Sequence, residues 1–148
     1  MRYLFTLAYC IALLTFVSSC KDKTADSQLL NTHWKLVEIE GSSISTSSYS
    51  DTYRSYIEFT GGINRTTGLG PCNSFSGSFA LGAEPGLLTI SPQGATKISC
   101  PALNIETQYL EALPRTTSYQ IVGKELRLFD ASNTTKPMLI FEDHTLTE

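Results

Sequence analysis

Histidine is scarce in this 148-residue chain: only His33 and His144 occur, and no Cys-x-x-Cys or His-x-x-x-His spacing is present. A structural zinc site draws about four cysteine or histidine ligands at close spacing, so nothing here spells a metal centre. Basic residues are also sparse, with 11 Lys and Arg against 14 Asp and Glu and no basic run. A net charge of −3 without such a run excludes a general nucleic-acid surface. The chain has no G-x-S-x-G elbow for a serine nucleophile and no paired carboxylates of the glycosidase kind. Its GGINRTTG at residues 61–68 lacks the lysine and following helix of a phosphate loop. The one extended apolar run, residues 3–17, is shorter than the roughly 20 residues a membrane-spanning helix uses.

That run belongs to a targeting segment, MRYLFTLAYCIALLTFVSSC, which opens on Arg2 and closes on Val17-Ser18-Ser19-Cys20. The closing tetrapeptide is similar to a bacterial lipobox, with an ordinary secretory signal as the alternative. The lipobox reading implies cleavage after Ser19, diacylglycerol and palmitate-type acyl chains on Cys20, and attachment to a membrane without crossing it. Residues 1–19 are then a signal peptide, residues 20–30 a lipidated polar tether, and residues 31–148 a single domain. The expected location is the cell envelope of a gram-negative bacterium, lipid-anchored on the periplasmic face or at the outer membrane. Only Arg2 among the charged residues leaves with the leader, so the mature chain remains acidic.

Four cysteines sort by position. Cys10 leaves with the leader, Cys20 takes lipid, and Cys72 and Cys100 remain. In an oxidising compartment two such cysteines have each other as default partners. Two reduced structural thiols, a metal site and a catalytic thiolate stay open beside that reading. Catalysis requires a base near Cys72, and only His33 and His144 could supply an imidazole.

Past the tether, alternating or short apolar runs predict strands at residues 33–39, 55–60, 75–81, 87–91, 118–122, 125–129 and 137–142. Phe75, Gly77, Phe79 and Leu81 fall on one face, with Ser74, Ser76, Ser78 and Ala80 on the other. The unbroken run 138–141 predicts a central strand covered on both sides. Residues 122–125 predict a tight hairpin using Gly123. The serine-rich residues 41–51 read as an exposed connection.

One helix is predicted over residues 101–113, with Pro101 in its first turn and Pro114 at its end. Its apolar stripe is Ala102, Ile105, Tyr109, Ala112 and Leu113, widened by Leu103 and Leu110. Glu106 falls inside that stripe. A buried carboxylate stays ionised only with partners, and the expected ones are Lys97, Arg54 or backbone donors in residues 96–100. The alternative is a side chain that reaches water at the helix edge.

Nearly the whole mature chain resembles the META domain family. The resemblance is carried by Trp34, Leu36 and Gly41, by Gly70-Pro71-Cys72-Asn73 with Gly77 and Phe79, and by Thr96-Lys97-Ile98-Ser99-Cys100-Pro101. It continues through Glu106, Tyr109, Leu110 and Leu113 to Leu126-x-Leu128 and Leu139-Ile140-Phe141. Pro71, Lys97 and Ile98 depart from the family's usual residues. The resemblance implies an α+β fold, a twisted and partly closed antiparallel sheet packed on one helix. It further implies a Cys72–Cys100 staple and structural roles for Trp34, Asn73, Gly77, Thr96, Pro101 and Glu106.

The family is associated with heat shock, antibiotic tolerance and motility rather than with an agreed activity. The expected function is therefore a non-enzymatic envelope lipoprotein without cofactor, supporting stress response or envelope protein assembly. It would act by binding a protein partner or an apolar ligand. The alternatives are a passive surface lipoprotein and a thiol-dependent enzyme using Cys72.

Overall fold

The computed structural model describes residues 22–44 and 55–144. The leader, Cys20, the greater part of the serine-rich connection and Arg54 lie outside the described residues.

Two-residue alternation builds most of the molecule. Along β5 (Ser74–Leu81) the buried Phe75 and Phe79 point inward and Ser74, Ser78 and Ala80 outward, as the sequence predicts. The strands β1 (Trp34–Ile39), β3 (Tyr56–Thr60), β4 (Arg65–Leu69), β6 (Leu88–Ile90), β8 (Thr116–Val122), β9 (Glu125–Asp130) and β10 (Leu139–Asp143) complete an antiparallel sheet in the order β6-β5-β4-β3-β1-β10-β9-β8. Short β2 (Ser42–Ser43) pairs with β1, and β7 (Gly94–Ala95) with β5. In β10, which lies between β1 and β9, Leu139 and Phe141 are buried while Ile140 is only half covered. That strand is central in order, but fully covered on one face only.

The sheet curls until its two edges meet. Tyr119 N–H donates to the Gly86 carbonyl at 2.8 Å, and Leu87 faces Ser118 across an isolated bridge. No longer ladder joins β6 to β8, so the barrel is nearly closed with one unsealed seam. A shallow depression of about 470 Å³ lies along it, bordered by Pro85, Leu87, Tyr119, Ile121 and Val122. The β8–β9 hairpin turns at Gly123, whose φ of 62° is the left-handed conformation glycine tolerates.

Two helices close the ends. Helix α2 (Leu103–Ala112) is shorter than the predicted 101–113, with Pro101 in the preceding turn and Pro114 inside a 3-10 turn at Leu113–Arg115. It buries Tyr109 and Ala112, and the Tyr109 ring meets Phe75 edge-on at 5.6 Å and Phe141 at 6.1 Å. Leu103, expected on the buried stripe, is exposed. Helix α1 (Asp22–Leu29) occupies residues read as tether. Its Leu29 is fully buried, the Trp34 indole N–H donates to the Leu29 carbonyl at 3.0 Å, and Tyr119 hydroxyl donates to Asp26. Folded structure therefore begins before residue 31.

The antiparallel order gives the barrel two distinct ends. The turns at residues 61–64, 82–87 and 123–124 share the α1 end with the start of β1 and the finish of β10. The turn at residues 70–73, the segment 96–103 and helix α2 occupy the other. Among the described residues no helix is long and apolar enough to cross a membrane.

Candidate functional site

Six of the residues singled out in the sequence, Cys72, Asn73, Thr96, Cys100, Pro101 and Glu106, lie at the α2 end. Glu106 is 3 % exposed and stands in the first turn of α2, where the helix field favours a negative charge. Its Oε2 accepts N–H bonds from Cys72 at 2.8 Å and Asn73 at 2.7 Å, while Oε1 accepts the Asn73 Nδ2–H at 2.6 Å. The expected partners Lys97 and residues 96–100 are not the ones used; the donors come from the 72–73 turn. Tight turns expose consecutive backbone N–H groups, and a carboxylate aimed at them satisfies two at once. Gly70 makes room for it, because a Cβ there would stand 2.6 Å from Glu106 Oε2.

Asn73 is saturated. Its Nδ2 donates to Glu106 and to the Ile98 carbonyl at 3.0 Å, and its Oδ1 accepts from Thr96 Oγ1 and Ile98 N–H, each at 2.7 Å. An asparagine side chain offers two donors and one two-lone-pair acceptor, so all four valences are filled. None is left for a substrate.

Cys72 and Cys100 are joined as a disulfide with 5.8 Å between Cα atoms. Residues 96–103 form no strand, yet the disulfide and the bonds from Asn73 fix this segment against the barrel. Held there, it carries Ile98 and Leu103, which are 62 % and 42 % exposed. The polar residues at this site thus hold a segment whose large apolar side chains face water.

The remaining candidates lie elsewhere. Trp34 is at the α1 end, capping Leu29 as described. Gly77 faces the Gln93 amide, which a Cβ would approach to 2.4 Å; Gln93 also accepts the Thr66 hydroxyl at 2.8 Å. His33 stacks on Tyr56 at 3.8 Å and bonds Glu58 at 2.8 Å, with His144 beside it at 6.3 Å. Both imidazoles therefore sit at the α1 end, away from Cys72. Among the described residues no three His, Cys, Asp or Glu side chains are grouped to hold a metal ion.

One ionic cluster went unseen in the sequence. Arg115 bridges Glu40 at 2.7 Å and Asp130 at 2.6 Å, joining residues 75 and 15 positions away. The Ser132 hydroxyl, the Arg115 guanidinium and the Asn133 and Ser132 N–H groups hold the Asp130 carboxyl down at about 2. Only the Asp130-to-Asn133 spacing, an Asx-turn signal, could have pointed to it. Burial, aided by Asp26, raises the Tyr119 phenol above its ordinary range.

Comparison with known proteins places the geometry in context. The profile of the META domain matches residues 27–144. A protein solved by NMR matches with 25 % identity over 82 % of this chain and 97 % of its own, with a TM-score of 0.61. A second NMR structure, of a protein from Burkholderia xenovorans, shares 23 % identity over 81 % of this chain and 86 % of its own, also with a TM-score of 0.61. A crystal structure of a DUF4847 family protein from Bacteroides vulgatus shares the fold at 16 % identity, covering 83 % of this chain and 99 % of its own, with a TM-score of 0.57. No curated protein matches the chain.

Proposed function

The chain belongs to the META domain family, and on that premise we propose that it is a non-enzymatic envelope lipoprotein, anchored by lipid on Cys20, that supports stress tolerance or envelope protein assembly by binding a protein partner. The observation that carries this reading is the segment 96–103. It is fixed by a disulfide and by a fully occupied Asn73, and it presents Ile98 and Leu103 to solvent. Exposed large apolar side chains on a rigid support suit protein contact. An apolar ligand fits less well, because Phe75, Tyr109 and Phe141 fill the space between sheet and helix.

The test is a double substitution, Ile98→Asp with Leu103→Asp, introduced into the chromosomal copy. Survival of heat or antibiotic stress falls to that of a deletion strain, while the melting temperature of the purified variant is unchanged. Full survival would sink the partner reading and leave a passive surface lipoprotein. Thiol mapping without reductant addresses the enzyme alternative: a free, fast-reacting Cys72 would bring it forward.

A further inference from the structure

We propose that the protein seats its α1 end directly on the lipid bilayer, with the side chains of Ile63, Leu87 and Val122 set into the headgroup layer. This rests on the acylation of Cys20 proposed above. Only Lys21 separates Cys20 from the start of α1 at Asp22. An extended chain spans at most about 3.6 Å per residue, so the anchor lies within roughly 7 Å of the first turn of α1. A long hydrated spacer, which the sequence led us to expect, is therefore not available.

Helix α1 is itself tied to the barrel. Leu29 is fully buried, Trp34 donates to its carbonyl, Leu30 bridges Phe59, and the Tyr119 hydroxyl holds Asp26. From Leu29 near β1 and β3 the helix runs back past Asp26 toward β8, beside the seam. Lipid and barrel are thus joined through a fixed element, and the end of the barrel that α1 covers is the end nearest the membrane.

That end has the surface such a position calls for. Of five large apolar side chains exposed among the described residues, Ile63 and Leu87 belong to its turns and Val122 ends β8 beside the 123–124 turn, at 69 %, 43 % and 53 % exposure. They are far apart in sequence and share one end of the barrel because alternate turns of an antiparallel sheet leave from the same end. Beside them, Arg65 and Lys124 are exposed, long cations of the kind that reach lipid phosphates. Glu84 and Asp143 share this end, so the seating is driven by the anchor and the apolar tips, not by net charge. Apolar side chains entering the headgroup boundary add buried area to an acyl anchor.

The experiment uses full-length lipoprotein purified from membranes, with lipid on Cys20 verified by intact mass. Single tryptophans replace Ile63, Val122 or, at the opposite end, Leu103, and each variant enters phosphatidylethanolamine–phosphatidylglycerol vesicles brominated near the glycerol end of the acyl chains. Tryptophan at 63 and 122 loses fluorescence relative to unbrominated vesicles, and tryptophan at 103 does not. The native Trp34 signal is subtracted with the unsubstituted protein. A ten-residue Gly-Ser insertion after Lys21 removes the loss at 63 and 122. Lipidated protein with no quenching at 63 and 122, or equal quenching at 103, overturns the seating alone. A mature protein without lipid overturns the acylation reading and the seating with it.

Discussion

Asn73 and Glu106 meet side chain to side chain at 2.6 Å, and the same carboxylate takes the Asn73 backbone N–H at 2.7 Å. The pair clamps the 70–73 turn to the first turn of α2 across 33 residues of sequence. Glu106→Leu leaves three N–H donors of Cys72 and Asn73 without their acceptor, and a buried donor left unsatisfied costs about 1–3 kcal/mol, so the variant melts well below the unsubstituted protein. A melting temperature at or above that of the unsubstituted protein would rule out this structural role.

The disulfide closes a loop of 28 residues. The chain-entropy account assigns such a loop about 3–4 kcal/mol at 25 °C. Replacing both cysteines, Cys72→Ala with Cys100→Ala, lowers the urea unfolding free energy by that amount. The 96–103 segment should also become the first protease-sensitive site in the described domain, read by mass spectrometry of limited digests.

Asp130 provides a pH signature. Its carboxyl lies near 2 in the folded protein against an ordinary 3.8, so folding favours the ionised form. The stability it contributes is complete above about pH 4 and is lost as pH falls toward 2. In Asp130→Asn the urea midpoint is lower than wild type at pH 6, and the gap closes between pH 4 and pH 2. A constant gap across that range would show that ionisation of Asp130 is not what stabilises the cluster.

Tyr109 carries its hydroxyl into the core, where it has no hydrogen-bond partner among the described residues, and burial lifts its phenol well above the ordinary range. A buried polar group without a partner costs about 1–3 kcal/mol. Tyr109→Phe therefore leaves stability unchanged or raises it by about 1 kcal/mol, measured by denaturant titration. A loss of stability would mean that the hydroxyl is bonded in solution.

The strands written in alternating phenylalanine, leucine and isoleucine were legible in the sequence, as were the Gly123 hairpin and the body of α2. Strand β4 was not, because its inward positions are Thr66 and Gly68. Apolar periodicity has nothing to register there. Gly68 is small because the Phe75 ring of the neighbouring strand fills its place, with Phe75 Cζ only 2.3 Å from where a Cβ would stand. Helix α1 hid for a related reason: its sequence DKTADSQL is polar, with Leu29 its one fully buried side chain among those described. At the site, the sequence exposed the anomaly of Glu106 but not its solution. The N–H groups that satisfy it belong to a turn 33 and 34 residues earlier, and no local pattern encodes such a meeting.

The position of β10 bears on how the chain comes to be folded at all. Strand β1 is flanked by β3 on one side and β10 on the other, Trp34 lies opposite Asp143, and the His144 N–H reaches the His33 carbonyl at 2.9 Å. The earliest strand thus waits for the latest. A chain lacking residues from 139 onward keeps the long edge of β1 uncovered, and we expect such truncated chains to be digested by protease while full-length protein resists. Biogenesis would then be all-or-nothing: the growing polypeptide gains its protection only when β10 has been made.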